Sequence, residues 1–162
     1  MRIAICSDIH DNIWKLEAAL PGMNEANVLI FCGDFCAPFT LAQLGRGFEG
    51  PVHAVLGNND GDQRLLLANA EEVGNVELHG QFTELELGGL HVAVTHYPDI
   101  ARGLAAGDRY DVVCYGHDHT LHEERVGGTL LVNPGEIMGR FGRSTYMLLD
   151  TTSCLVTVRD VE

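Results

Sequence analysis

The chain has few basic residues and no long apolar segment. Lys and Arg number 10 against 23 Asp and Glu, giving a formal net charge of −13 over 162 residues. A surface this acidic repels a nucleic-acid backbone, so we expect no nucleic acid bound by charge. The longest apolar runs, such as Val28–Cys32 and Val112–Tyr115, are far too short to span a bilayer. We therefore also expect no membrane partner.

Signs of secretion and of a thiolate metal site are missing as well. Met1 runs directly into the strand-like segment Arg2–Cys6, without the apolar stretch and cleavage site of a signal peptide. The five cysteines are odd in number. Cys32 and Cys36 have a C-x₃-C spacing, but no second pair follows at zinc-site distance. These features predict a cytoplasmic protein whose cysteines are reduced and mostly buried.

Length and pattern predict one α/β domain covering residues 1–162. A chain of 162 residues, 46% of them hydrophobic, can build its own core. The first half alternates predicted strands and helices: Arg2–Cys6, Asn12–Leu20, Val28–Cys32, Pro38–Leu44, Val52–Leu56 and Asp62–Glu72. The second half is strand-rich, with strands predicted over Phe82–Leu87, Leu90–Thr95 and Asp111–Tyr115 and a tight glycine turn at Gly88-Gly89. This order predicts two mixed sheets packed together, with helices outside.

Polar side chains follow five of the predicted strands, at the point where each strand ends. They are Asp8 and His10, Asp34, Asn58 to Asp60, His96, and His117 to His119. Ligand sites in open α/β sheets form at the carboxyl ends of strands. Gly33, Gly57 and Gly116 immediately precede such residues, where tight turns must aim side chains inward. The sequence therefore predicts one shared site.

The residue types at these turns predict two divalent metal ions. Seven candidate ligands offer oxygen and nitrogen donors and no thiolate: Asp8, His10, Asp34, Asn58, His96, His117 and His119. This mixture suits Mn²⁺, Ni²⁺, Fe²⁺ or Zn²⁺ better than Ca²⁺ or a closed structural zinc site. A pair of ions needs a bridging carboxylate, and Asp34 is the isolated central acid. Such a pair would also offset the acidic surface for an anionic substrate.

Each motif taken alone has an ordinary structural explanation. Asp8 and Asp34 could cap helices, Asn58 to Asp60 could form a simple turn, and His96 could be a loop histidine. Their joint occurrence after successive strands is what favours a metal centre.

The motifs together resemble the calcineurin-like metallophosphoesterases, in particular the small single-domain phosphodiesterases of the YfcE type. The resemblance rests on D-x-H at Asp8–His10, G-D at Gly33-Asp34, G-N at Gly57-Asn58, the lone His96 and G-H-x-H at Gly116–His119. The order and spacing match the family. The later segment Asn133-Pro134-Gly135 also resembles one common in this subgroup.

The resemblance implies a four-layer α/β/β/α sandwich and a role for each ligand. Asp8, His10 and His119 would hold one ion, Asn58, His96 and His117 would hold the other, and Asp34 would bridge them. A small phosphate ester would be hydrolysed by attack of a metal-bridging hydroxide, with Asp34, Asn58, Asn59 and His96 as the catalytic set. Mn²⁺ is the favoured metal.

Asn59 departs from the pattern of many family members, which carry a histidine at this position to protonate the leaving group. An amide cannot act as a general acid at neutral pH, and general acids contribute about 10²–10⁴-fold. We therefore expect diesters rather than monoesters as substrates. A phosphomonoesterase or nucleotide phosphatase, and a non-catalytic scaffold of the same fold, remain the alternatives. Asp60 is expected to orient the Asn58 loop.

Some residues carry no clear functional signal. Four histidines lie in strand-like runs and are interpreted as surface or core residues: His53, His79, His91 and His122. Trp14 and Phe39 lie near the ligand turns and could line the site, but helical spacing favours packing for Trp14. The sequence does not distinguish which of Arg64, Arg140 and Arg143 would contact a substrate phosphate. A homo-oligomer built on a strand edge or apolar patch is compatible with the sequence.

Overall fold

The structure is a computed structural model that describes all residues 1–162. It contains four helices: α1 (Ile13–Met23), α2 (Pro38–Gly47), α3 (Gln63–Val73) and α4 (Pro98–Ala106). Six strands form the first sheet: β1 (Arg2–Cys6), β2 (Val28–Phe31), β3 (Val52–Ala54), β4 (Val76–Leu78), β10 (Thr145–Asp150) and β11 (Leu155–Asp160). Five form the second: β5 (Phe82–Leu87), β6 (Leu90–Thr95), β7 (Val112–Cys114), β8 (His122–Val126) and β9 (Thr129–Asn133).

Both sheets are mixed, as the sequence predicts. The first has the order β11-β10-β1-β2-β3-β4, in which β1 to β4 are parallel and β10 is antiparallel to both β1 and β11. The second has the order β5-β6-β7-β9-β8, with the hairpin pairs β5–β6 and β8–β9 at its two sides. The carboxyl ends of β1, β2 and β3 therefore meet at one edge of the first sheet.

Three buried clusters divide the molecule into four layers. The first cluster packs α1, α2 and α3 against the outer face of the first sheet, through residues such as Leu16, Leu41 and Leu66. The second cluster lies between the sheets and contains residues of both, such as Ile5 of β1 and Val94 of β6. The third lies between the second sheet and α4. The α/β/β/α sandwich is confirmed.

Two helices continue past the residues that were expected to end them. Helix α1 runs through Pro21 to Met23. The carbonyl that Pro21 leaves without a donor belongs to the exposed residue Glu17, and burial of Met23 holds the last turn in place. Helix α2 includes Gly45, where a Cβ would lie only 2.7 Å from Val76 Cγ2. That glycine permits close packing rather than ending the helix.

Other predicted ends agree to within one or two residues. The hairpin strands β5 and β6 have the predicted bounds, whereas β3 and β7 are two residues shorter. Asp62 caps α3 through its side chain, and Gly74 ends it in the left-handed conformation. Every helix falls short of the length and apolarity that crossing a membrane requires.

Candidate metal centre

All seven predicted ligands converge at the edge where the two sheets meet. Asp8 and His10 follow β1, Asp34 follows β2 and Asn58 follows β3, all in the first sheet. His96 follows β6, and His117 and His119 follow β7, all in the second. We call this set of seven residues the candidate metal centre. It draws on both sheets, so the sandwich itself brings the ligands together.

The turns that carry these residues have an unusual backbone. Five of the seven adopt positive φ: Asp8 (53°), His10 (44°), Asp34 (65°), His117 (77°) and His119 (57°). The left-handed region is sparsely populated by residues other than glycine, although Asp and His tolerate it better than most. Strained conformations of this kind concentrate at functional sites and persist only when the surrounding structure fixes them.

Glycines allow the two sheets to approach each other at the centre. A Cβ on Gly57 would lie 2.1 Å from Asp34 Oδ1, and one on Gly116 would lie 2.0 Å from Ser7 Oγ. Gly33 has φ +102°, and a Cβ there would lie 2.6 Å from His96 Nδ1. The glycines expected to aim the ligands inward thus also leave the space that the ligands occupy.

One group of ligands surrounds Asp8. Asp8 Oδ1 lies 3.5 Å from His10 Nε2 and 3.4 Å from His119 Nε2. The rings of His10 and His119 stack with their centroids 5.0 Å apart. Asp8 itself is fully buried, and its Oδ2 accepts a hydrogen bond from the His117 backbone N–H at 3.0 Å. One carboxylate oxygen is therefore anchored while the other faces the two imidazoles.

A second group surrounds Asn58. Its Oδ1 lies 3.1 Å from His96 Nε2 and 2.8 Å from His117 Nδ1, and these two ring nitrogens are 3.3 Å apart. Asn58 and His117 are exposed, whereas His96 is fully buried. The candidate metal centre is thus closed on the His96 side and open to solvent on the Asn58 side.

Asp34 lies between the two groups. Its Oδ2 is 3.4 Å from His10 Nε2 and also 3.4 Å from His96 Nε2. The backbone N–H and the side-chain amide of Asn59 donate to its two oxygens at 2.9 Å and 2.8 Å. Asn59 therefore contacts the central carboxylate through both its backbone and its side chain, although the residue is exposed.

Asp60 fixes the turns that carry Asp34 and Asn58. Its carboxylate accepts backbone hydrogen bonds from Gly57 at 2.7 Å, Asp34 at 3.0 Å and Cys36 at 2.9 Å. These contacts connect the loop after β2 to the loop after β3. Asp60 thus orients the Asn58 loop, as the sequence analysis expects.

Two imidazoles are oriented by hydrogen bonds from their other ring nitrogen. His96 Nδ1 donates to the Cys32 carbonyl at 2.7 Å, and His119 Nδ1 donates to Glu136 Oε2 at 2.6 Å. Both contacts place a proton on Nδ1 and direct Nε2 toward the centre, which makes Nε2 the nitrogen available to a metal ion. Partners of this kind are typical of metal-binding histidines.

Glu136 contacts a candidate ligand and was not among the residues predicted from the sequence. It is fully buried, and its other oxygen accepts from the backbone N–H groups of Phe141 and Gly142 at 2.6 Å and 3.0 Å. It comes directly after Asn133-Pro134-Gly135, the segment noted for its resemblance to the family. That position was the only signal in the sequence that could have pointed to it.

Asp8 and Asp34, the two buried carboxylates of the candidate metal centre, give it a negative electrostatic potential. Burial raises the pKa of Asp34, but hydrogen bonds from His96 and Asn59 outweigh burial and hold its pKa below the usual range. Burial lowers the pKa of His96, and the Asp34 carboxylate outweighs this, so the net shift is upward. The neighbouring Asp8 carboxylate raises the pKa of His10. An electronegative pocket of this kind attracts cations.

The donor set fits divalent metal. Asp8 Oδ1 and His10 Nε2 are buried and have no hydrogen-bond partner. Buried polar atoms nearly always have a hydrogen-bond partner, so two buried potential metal ligands without one need an explanation. Separations of 3.4 to 3.5 Å between them are typical of two atoms bound to one cation. Burial raises the pKa of the adjacent Cys36 thiol to about 12, which disfavours a thiolate ligand.

Comparison with known protein families also points to a metal-dependent enzyme. The family model of the calcineurin-like phosphoesterase superfamily domain matches residues 1–154. The chain belongs to this superfamily. It is therefore a metal-dependent phosphoric ester hydrolase, and the expected family is confirmed.

Individual relatives agree with this assignment. The phosphoesterase is 32% identical over 156 residues to Phosphodiesterase MJ0936 of Methanocaldococcus jannaschii, covering 93% of each chain. It matches the solved structure of a novel archaeal phosphodiesterase with a TM-score of 0.91, at 29% identity over 99% of both chains. The E. coli phosphoesterase YfcE matches over 100% of both chains with a TM-score of 0.67 at 18% identity, which shows the fold alone.

Several remaining residues of the phosphoesterase lie outside the candidate metal centre. Trp14 is 74% exposed, so the expectation that it packs in the core is wrong. It lies on the first turn of α1, on the face opposite the buried residue Leu16. Arg143 is paired with Asp160 through two contacts of 2.7 Å. Arg140 lies 5.2 Å from the ring centre of Phe141, whose edge faces His119.

Proposed function

We propose that this phosphoesterase is a phosphodiesterase whose centre binds two divalent ions bridged by Asp34. The observation that carries the proposal is the position of Asp34 Oδ2, 3.4 Å from an imidazole of each ligand group. A carboxylate shared in this way is what two ions about 3.5–4 Å apart require.

The two groups of ligands define one ion each. Asp8, His10 and His119 would hold the first ion, and Asn58, His96 and His117 the second. The oxygen and imidazole donors suit Mn²⁺, Ni²⁺, Fe²⁺ and Zn²⁺. Among these four, the family resemblance makes Mn²⁺ the favoured metal. When bound, such a pair makes water acidic enough to supply a nucleophile at neutral pH and neutralises charge on phosphoryl oxygens.

The protein's own residues orient the substrate. The ester reaches the centre from the open side, where Asn58 and His117 are exposed. Arg140 is exposed beside Phe141, which contacts His119, so it is the arginine that we assign to the substrate phosphate. Arg143 is held by Asp160 instead.

A preference for diesters follows from Asn59. Its amide donates to Asp34 and cannot act as a general acid, so this position supplies no proton for the leaving group. Substrates with good leaving groups, diesters among them, suit such a site. The Methanocaldococcus jannaschii relative and the archaeal protein of the matching structure are each named a phosphodiesterase, which supports the same preference.

The test is a comparison of ester substrates on metal-depleted protein reloaded with each of the four metals. We expect hydrolysis of bis-p-nitrophenyl phosphate with Mn²⁺ and a lower kcat/KM for p-nitrophenyl phosphate. A higher kcat/KM for the monoester would favour the phosphomonoesterase alternative. Absence of turnover with every metal, from folded protein, would favour the scaffold alternative and reject the proposal.

The bridging role of Asp34 gives a sharper test. Asp34→Asn keeps the shape of the side chain but removes the charge that two cations would share. We expect a loss of kcat/KM above the roughly 10–100-fold that outer-shell substitutions produce. Asp99→Asn changes an exposed aspartate on α4 and serves as the control. Near-normal activity of Asp34→Asn would contradict a bridged pair of ions.

A further inference from the structure

A second cluster of metal-binding side chains lies on β3 and β4, away from the candidate metal centre. It consists of His53, Glu77 and His79. His53 pairs in register with Glu77, and His79 follows two residues later, so all three side chains lie on one face of the sheet. The helices cover the opposite face, where Val52 and Ala54 are buried. Three side chains of types that bind metals therefore converge beside β4, at the lateral edge of the first sheet.

The donor atoms of these residues are close enough to share an ion. His53 Nδ1 lies 3.1 Å from His79 Nε2 and 3.4 Å from Glu77 Oε2. His79 Nδ1 lies 3.7 Å from Glu77 Oε1, and one donor atom from each residue falls within 4.8 Å of the other two. Donors around a tetrahedral zinc ion, at 2.0–2.1 Å from the metal, are roughly 3.3–3.5 Å apart. Small side-chain rotations would complete the geometry.

The surroundings leave these donors available. Within 4.0 Å, the only charged partners of Glu77 are the two imidazoles, because no Lys or Arg reaches it. Both histidine side chains are largely buried, at 17% and 15% exposure, whereas Glu77 is 67% exposed. Burial, together with the neighbouring His79, lowers the pKa of His53, which favours the neutral imidazole that binds metals. The net charge of −13 attracts cations to this surface.

We propose that His53, Glu77 and His79 form a cation site for a borderline transition metal such as Zn²⁺, separate from the candidate metal centre. Two imidazoles and one carboxylate select such ions over Mg²⁺ and Ca²⁺, and water completes the coordination. The site connects β4, a three-residue edge strand that pairs only with β3, to the body of the sheet. Its role is to stabilise that edge.

Zinc stoichiometry tests the proposal without relying on catalysis. Metal-free full-length protein is dialysed against ZnCl₂, and bound zinc is counted by mass spectrometry. We expect His53→Gln/His79→Gln to bind one equivalent fewer than the wild type and to gain less thermal stability from zinc. Its Mn²⁺-dependent hydrolysis of bis-p-nitrophenyl phosphate should stay at the wild-type level. His91→Gln, which changes a surface histidine paired with Glu86, is the matched control.

Equal zinc content in the wild type and the double variant would overturn the proposal. If the double variant fails to fold, crystals of the wild type soaked in ZnCl₂ decide the question. An anomalous peak at the zinc edge between the three side chains supports the site, and its absence rejects it. Glu77→Gln replaces the exposed carboxylate with a neutral amide and should weaken that peak.

Discussion

Single side chains behind the ligands control how the ligands can bind. Glu136 is buried, accepts from His119 Nδ1 at 2.6 Å and also accepts two backbone N–H groups of the segment that carries Phe141. A carboxylate in this position keeps the proton on Nδ1 and increases the basicity of Nε2. It also ties the loop beside Arg140 to a candidate ligand, so under the proposed function one residue would support both metal binding and substrate binding.

We expect Glu136→Gln to weaken metal binding by about 10–100-fold, because a neutral amide supports His119 less well than a carboxylate does. Titration of metal-depleted protein with Mn²⁺ measures the change. Glu86→Gln alters a surface carboxylate that pairs with His91 and is the control. Unchanged affinity for Mn²⁺ would show that Glu136 positions only the loop that carries Phe141 and Gly142.

Local sequence indicated the residues that follow their own strands, but not the partners that come from distant segments. Each of the seven candidate ligands sits in a short motif directly after a strand, and the structure brings the seven together. Glu136 became recognisable only when the loop after β9 approached the turn after β7. His53 and His79 lie in unremarkable strand runs, and only the register of β3 and β4 brings them together.

At the scale of elements, the turns after β2 and β3 act as one unit. Gly57 and Asp60 connect them, the first by close approach to Asp34 and the second by accepting three backbone N–H groups. The positions of Asp34 and Asn58 are therefore not independent.

Gly57→Ala should displace Asp34, because the new methyl group would lie 2.1 Å from Asp34 Oδ1. We expect a loss of stability of about 1–3 kcal/mol, typical of overpacking, together with a loss of activity. Thermal unfolding and hydrolysis assays measure both. Gly61→Ala is the matched control, because nothing lies within 4 Å of its Cβ. Equal stability and activity of the two variants would contradict the close approach of Gly57 to the Asp34 side chain.

Asp60→Asn should destabilise the fold by about 1–3 kcal/mol, because its amide group would face backbone donors that now bond to a carboxylate oxygen. Urea denaturation gives the free energy of unfolding. The exposed substitution Asp99→Asn should stay close to the wild type. If the free energy of unfolding falls no further than in the control, water would be replacing the hydrogen bonds that the Asp60 carboxylate accepts.

The helix ends show why element boundaries were less predictable than the elements. Pro21 and Gly45 are local signals for ending a helix, yet both lie inside one. Burial of Met23 and the close packing of Gly45 against Val76 outweigh those signals, and neither contact is visible in local sequence. The hairpin of β5 and β6 was predicted to the residue because its turn is local.

For the whole molecule, the four-layer arrangement followed from the family resemblance, while composition and pattern alone indicated only two mixed sheets with helices. Two fully or nearly fully buried carboxylates, Asp8 and Asp34, lie in a chain of net charge −13. Burying such charges is unfavourable unless they are compensated. The stability of the whole protein should therefore depend on divalent cations.

Removing metal should lower the melting temperature. At a metal concentration 100 times Kd, binding adds about 2.7 kcal/mol, which corresponds to roughly 5–10 °C for a chain of this size. Differential scanning calorimetry with Mn²⁺ or with EDTA measures the shift. Asp34→Asn should show a smaller difference between the two conditions. A wild-type melting temperature that is the same in both would contradict a centre built for cations.

The ligands come from both sheets, three strands on one side and two on the other, and this has a mechanical consequence. Any fluctuation that parts the two layers at that edge pulls Asp8 and Asp34 away from His96 and His119, so opening of the sandwich and inactivation are a single event. Amide protons near the ends of β1, β2, β6 and β7 should then exchange at one common rate, which cation binding slows for all four strands at once.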